Sequence, residues 1–163
     1  MARSEHRVRP RRPLIALAVA VTLVLSACAG EGFTTAQRTN HGDGARADLG
    51  TQIGVENLLL LTEEEGAPGQ LVGGAVNHWS QGTDVSFTAA GVEETVTVSV
   101  GAGETVLLHP DHQSIVLPAV PSAPGTNLEF QISTPEAGSV TVPVPVLDGT
   151  IDPYQDYLPT AGD

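Results

Sequence analysis

Three of the five histidines, together with a lone cysteine, hold most of the chemical options of this 163-residue chain. His109-Pro110-Asp111-His112 sets two imidazoles three positions apart with a carboxylate between them. Neutral imidazole nitrogen suits Cu(II) or Zn(II), and a nearby acid can complete a ligand set. The same four residues also read as a polar corner between two strands, because no motif fixes their ligand geometry. His78 is the third candidate ligand; beside Trp79 it also reads as strand-end packing. His41, next to Gly42-Asp43-Gly44, reads as a solvated loop histidine. Ser114 follows His112 by two positions, but adjacency in sequence is not triad geometry. The chain has no G-x-S-x-G elbow, no H-E-x-x-H and no phosphate-binding glycine loop, so a non-catalytic protein is expected. Glu63-Glu64-Glu65 lacks the alternating ligands of a calcium loop and reads as a solvated charge run.

Cys28 is the only cysteine, which rules out an intramolecular disulfide. It ends the stretch LIALAVAVTLVLSAC, Leu14–Cys28, which follows five arginines: Arg3, Arg7, Arg9, Arg11 and Arg12. A basic start, a short apolar run and small residues before a cleavage point describe an export signal. Twelve apolar residues span about 18 Å as a helix, short of the ~30 Å hydrocarbon core, so a permanent transmembrane helix is disfavoured. Leu25-Ser26-Ala27-Cys28 resembles the lipobox of bacterial lipoprotein precursors. That resemblance implies a diacylglyceryl group on the Cys28 thiol, removal of residues 1–27, and a lipid-anchored protein on the extracytoplasmic face of the cell membrane. Two or more acyl chains anchor stably where one does not.

Processing would transform the charge. Residues 1–27 hold five of the seven basic residues and one of the 19 acidic ones, so 18 acidic and two basic side chains remain, net −16. There is no lysine, and beyond Arg46 no arginine. Phosphate binding needs cationic side chains, so nucleic acid is excluded as a partner, as is docking on anionic headgroups. A folded domain starting at residue 47 would contain no Lys or Arg ion pair, and its stability would come from burial and backbone pairing. An acidic surface serves solubility, or attracts cations or a basic partner.

The elements that must position the histidines read as strands. Residues 28–46 have no apolar period and predict a flexible tether. From Asp48 the pattern turns β. In Thr51–Leu61, alternation puts Ile53, Val55, Asn57, Leu59 and Leu61 on one face and Leu58 and Leu60 on the other. Further strands are expected at Leu71–Trp79, Val85–Ala90, Thr95–Val100, Glu104–Leu108, Gln113–Leu117, Asn127–Ser133 and Ser139–Leu147. Gly73-Gly74 predict a bulge or a close backbone approach. Pro143 and Pro145, two apart, predict an edge strand or one unpaired on that side. About eight short strands at this spacing predict a β-sandwich or Greek-key barrel over residues 47–148. The acidic tail, 149–163, carries Tyr154 and Tyr157, which either fold back on the sandwich or form a contact surface for a partner.

The segment VSVGAGETVLLHPDHQSIVLPAVPSAPGTNLEFQISTPEAGSVTVPVPV, 98–146, is similar to the PCuAC-type periplasmic copper chaperones and their actinobacterial lipoprotein relatives. The shared landmarks are the GAGET turn, the LHP corner, a Pro-rich linker, the strand holding Phe130 and the turn EAGSVTVPVPV. The resemblance implies a cupredoxin-like Greek-key sandwich. Chaperones of this type hold Cu(I) with histidines and methionines, soft ligands suited to that ion. Here the only methionine is Met1, the His-x-Met pair aligns at Ser114 and Val116, and the span from Phe87 to Thr97 has neither His nor Met. The expectation is therefore a membrane-anchored, non-catalytic interaction module without a cofactor that meets another envelope protein. The alternative is a divergent copper- or zinc-binding metallochaperone using His109 and His112, with His78.

Overall fold

The structure is a computed structural model that describes residues 42–159. The signal sequence, Cys28, His41 and the tether up to residue 41 lie outside the described residues. Nine strands follow in order: β1 (Ala45–Leu49), β2 (Ile53–Thr62), β3 (Gly69–Asn77), β4 (Thr83–Ala89), β5 (Thr95–Val100), β6 (Thr105–Leu108), β7 (Ile115–Leu117), β8 (Asn127–Thr134) and β9 (Gly138–Leu147). The expected cupredoxin-like Greek-key sandwich is what forms. One sheet holds β1, β2 and β3, with β6 and β7 paired end to end along the far side of β3; the other runs β5-β4-β8-β9. Phe87, Phe130, Leu58, Leu60 and Ile132 lie in the core between them.

The eight expected strands are present, with ends shifted by at most two residues and Thr95–Val100 matched at both ends. The ninth, β1, was missed because ARADL is short and carries only Ala47 and Leu49 inward. It enters the sheet within the stretch expected to be tether. It also brings Arg46 into the domain, which corrects the expectation of no internal ion pair. Arg46 meets Asp48 at 2.9 Å and Glu56 at 2.8 Å. The Asp48 hydrogen bond is the main reason its guanidinium holds its proton above the ordinary arginine value. An exposed pair of this kind contributes about 0–1 kcal/mol, so burial still dominates.

The proline expectation holds in its second form. β9 pairs with β8 along its length, and the Val146 amide donates to the Thr126 carbonyl. Alternation then points the Pro143 and Pro145 nitrogens away from β8, where β2 meets β9 only at Val146 and Leu147.

The expected alternation in β2 fails at one place. Glu56 pairs with Gly74 but Leu59 pairs with Val72, so two residues, Asn57 and Leu58, oppose Gly73. Asn57 takes φ 51°, in the left-handed region that asparagine tolerates best after glycine. This bulge reverses the faces beyond it. Leu58 and Leu60 join Ile53 and Val55 in the main core, while Leu59 and Leu61 turn to the outer face. Gly73 answers the bulge with φ 149°, and a Cβ there would stand 3.0 Å from the Glu56 carbonyl oxygen. Gly74 is under no such demand. Gly73→Ala is therefore expected to lower stability by about 1–3 kcal/mol, and Gly74→Ala to leave it within roughly 0.5 kcal/mol, measured by denaturant unfolding.

Candidate functional site: the His109 corner and the tyrosine tail

His109 to Gln113 form a tight corner that leaves the sheet after β6. The His112 amide donates to the His109 carbonyl (3.0 Å), the His109 amide to the Gln113 carbonyl (3.2 Å) and the Gln113 amide to the Leu107 carbonyl (3.2 Å). These bonds bring the two imidazoles together with ring centroids 5.7 Å apart and planes tilted by 59°. Two imidazoles sharing a tetrahedral ion at about 2.0–2.1 Å have ring centres roughly 5 Å apart, so the pair is within a small rotation of chelation. The Asp111 amide donates to His109 Nδ1 at 3.1 Å, which places the ring proton on Nε2. An ion at Nε2 of His109 would require that proton to move to Nδ1 and the Asp111 amide bond to break, with the exposed His112 and Asp111 beside it.

His78 does not join them. It follows β3 at Asn77, whose amide bonds to the Glu104 carbonyl, whereas His109 follows Leu108, which pairs with Gly73. His78 continues past Asn77 and His109 past Leu108 in the opposite direction, so about six strand positions separate the two, roughly 20 Å at 3.3 Å per residue. Its amide donates to the Gln52 carbonyl, and its side chain is exposed. Among the described residues no three His, Cys, Asp or Glu side chains converge. A metal at the corner would thus have two imidazoles and open positions.

Of the places where the resemblance would put copper ligands, Val116 meets the span from Phe87 to Thr97, while Ser114 lies apart. Val92, Glu94 and Val96 face Val116 and Pro118 across a crevice of about 10 Å³ whose wall includes Phe87. The Ser114 hydroxyl donates to Oε1 of the buried Gln70 (2.9 Å), whose Nε2 donates to the Leu71 carbonyl. Neither thioether nor imidazole lines this place, so it does not fit Cu(I).

The tail supplies the other half of the site, and its tyrosines fold back. Tyr154, Tyr157 and Leu158 cover Leu59, Leu61 and Val72, the residues that the bulge turned outward. Tyr157 packs edge-on against His109, centroids 4.4 Å apart at 70°, and Tyr154 stands 6.2 Å from Tyr157. Gly149 makes the return possible: φ is 73°, and a Cβ would lie 2.8 Å from Leu158 Cδ1. Asp148 starts the turn by accepting the Thr150 amide and hydroxyl, which hold its carboxyl below the usual value. The Tyr154 hydroxyl donates to Asp43 Oδ2 at 3.4 Å, tying the tail to the strand entry. There Gly42 and Gly44 lie against Asn57, whose Oδ1 accepts the Gly44 amide at 2.8 Å. The tail's role in fixing His109 was missed from sequence; the only signal was two tyrosines in a chain with six aromatics.

No family model and no curated protein sequence matches the chain. Solved structures similar to it include the apo PCuAC domain from PmoF1, at 17% identity and TM-score 0.51, covering 64% of this chain and 99% of that one. The copper-bound PCuAC domain from PmoF2 has 18% identity and TM-score 0.51, covering 64% of this chain and 98% of that one. The apo PmoF2 PCuAC domain has the same identity and score, covering 66% and 98%. The sandwich thus has the fold of PCuAC domains.

Burial first, then the charge of Asp43, raises the Tyr154 phenol above the ordinary 10.0. An unfolded tyrosine ionises near that value and the docked one later, so the docked tail is fully stabilised below pH 10 and loses that stability as pH rises above it. Tyrosinate absorbance should show Tyr154 titrating late, and Gly149→Ala should return it to the ordinary value.

Proposed function

We propose that this chain is an exported metal-binding domain of PCuAC-like fold that takes a borderline ion, Cu(II) or Zn(II), at His109 and His112. The observation that carries this reading is the 5.7 Å approach of the two imidazoles on a fold similar to a copper-bound domain. The ligand chemistry favours these ions over Cu(I), because nitrogen and carboxylate replace thioether. Two protein ligands with open positions suit hand-over to a partner better than permanent storage. The protein's own residues do two things: His109 and His112 donate nitrogen, and Tyr157 packs against the His109 ring, while the Asp111 amide, which holds Nδ1 in the free protein, releases it when an ion binds. The role is non-catalytic. Cys28 carries a lipid that holds the domain at the extracytoplasmic face of the membrane, where it works with another envelope protein and not with nucleic acid.

A second reading, an interaction module that needs no metal, is favoured by Leu107, 51% exposed next to the same corner.

Titration of the full chain with Cu(II), Zn(II) and Cu(I) tests the first reading. One Cu(II) or Zn(II) per chain is expected, with affinity at least about tenfold lower in His109→Ala/His112→Ala, while His78→Ala binds as the parent does. Equal binding by the double variant overturns the site. Cys28→Ser should move the protein from membrane to medium, and a variant that stays membrane-bound overturns the anchor.

A further inference from the structure

The outer face of the first sheet is covered on one side only. The tail lies over Leu59, Leu61 and Val72. Beside it runs a groove of about 360 Å³, within the range of ordinary ligand pockets. Its floor is a row across three strands, in which Glu56 pairs with Gly74 and Gly74 with Leu107. Tyr154, Tyr157 and His109 line its margin.

Gly74 is the informative residue. Gly73 is demanded by its positive φ and by the bulge, but Gly74 has neither constraint. A Cβ on Gly74 would meet the Val106 carbonyl oxygen at 3.8 Å and Leu107 Cδ2 at 3.9 Å, ordinary contacts. β-branched residues serve a strand better than glycine does. The side chain is absent at the one place in this row where it would fill the groove. Leu107, 51% exposed, leaves an apolar wall without a cover.

Charge indicates what covers it. Arg46 is the only Lys or Arg among the described residues, and Asp48 and Glu56 hold it. The margin has two tyrosine rings, whose faces attract cations, Asp43 bonded to one of them, and the Glu56 carboxylate, which also meets Arg46. We propose that this groove docks an extended segment of a partner protein, with an apolar side chain seated over Gly74 and a neighbouring Arg or Lys against Tyr154 and Tyr157. The inference rests on the interaction reading and does not require a bound metal.

The test uses the full chain in phosphatidylcholine nanodiscs and a fluorescently labelled Ala-Leu-Arg-Leu-Ala peptide, blocked at its C-terminus, read by anisotropy. Saturable binding is expected. It should weaken at least about tenfold in Gly74→Leu, and to a similar extent when the probe's Arg is replaced by Glu. Unchanged Trp79 fluorescence and melting temperature in Gly74→Leu show that the variant is folded. Leu107→Glu, at an exposed position, gives a second variant with the same expected loss. No binding, binding indifferent to Gly74→Leu and Leu107→Glu, or binding indifferent to the probe's charge overturns the proposal. A photo-crosslinker at Thr97, on the other sheet, separates this failure from failure of the interaction reading. An envelope-protein adduct at Thr97 with no peptide binding overturns the groove and leaves that reading standing.

Discussion

The bulge at Asn57 and Leu58 is the constraint on which the rest of the outer face depends. Four consecutive leucines must divide between two environments, and strict alternation from Ile53 would send the wrong pair to each. One extra residue in β2, accommodated by Asn57 at positive φ and by Gly73 opposite, puts Leu58 and Leu60 into the sandwich and Leu59 and Leu61 outside. Burying a leucine is worth about 1.5–3 kcal/mol, so two leucines on the outer face need a cover. The tail is that cover, and its docking places Tyr157 against His109. A local backbone device in β2 thus sets the environment of a histidine on a different strand.

Much of the fold was legible because period-two alternation survives in most strands. Thr95–Val100 is the plainest case: Val98 and Val100 are buried, and Thr95, Thr97 and Ser99 are exposed. β1 was not legible because Arg46 and Asp48 offset its two alanines and one leucine in any composition window. The bulge was half legible. Gly73-Gly74 announced a close approach, but a run of leucines reads the same in either register, so its place in β2 and its effect on the faces were hidden. The corner at His109–His112 was legible as a corner from its proline and aspartate. The contact with Tyr157 was not, since it depends on Gly149 turning the tail back across the sheet.

Two neighbouring features of the molecule pull its chemistry in different directions. The fold is that of PCuAC domains, yet the crevice between Val92, Glu94, Val96 and Val116 has neither thioether nor imidazole, and Ser114 is turned to Gln70. The two imidazoles of His109 and His112, the ligands proposed above, lie at the other end of the same β6–β7 connection, against an aromatic tail. On the proposed reading, ligands of imidazole and carboxylate in place of thioether would suit a harder ion. The groove beside the corner shares Tyr154, Tyr157 and His109 with it, so ion and partner would meet on one surface.

The most direct measurement of the register that organises this surface is a methyl nuclear Overhauser spectrum of the chain with leucine methyls assigned. The account predicts cross-peaks from the Leu59 methyls to the Tyr154 and Tyr157 rings or to Leu158, and from the Leu58 methyls to the sandwich core. Leu59 methyls that instead contact the core with Ile53 and Val55, as unbroken alternation requires, would contradict it.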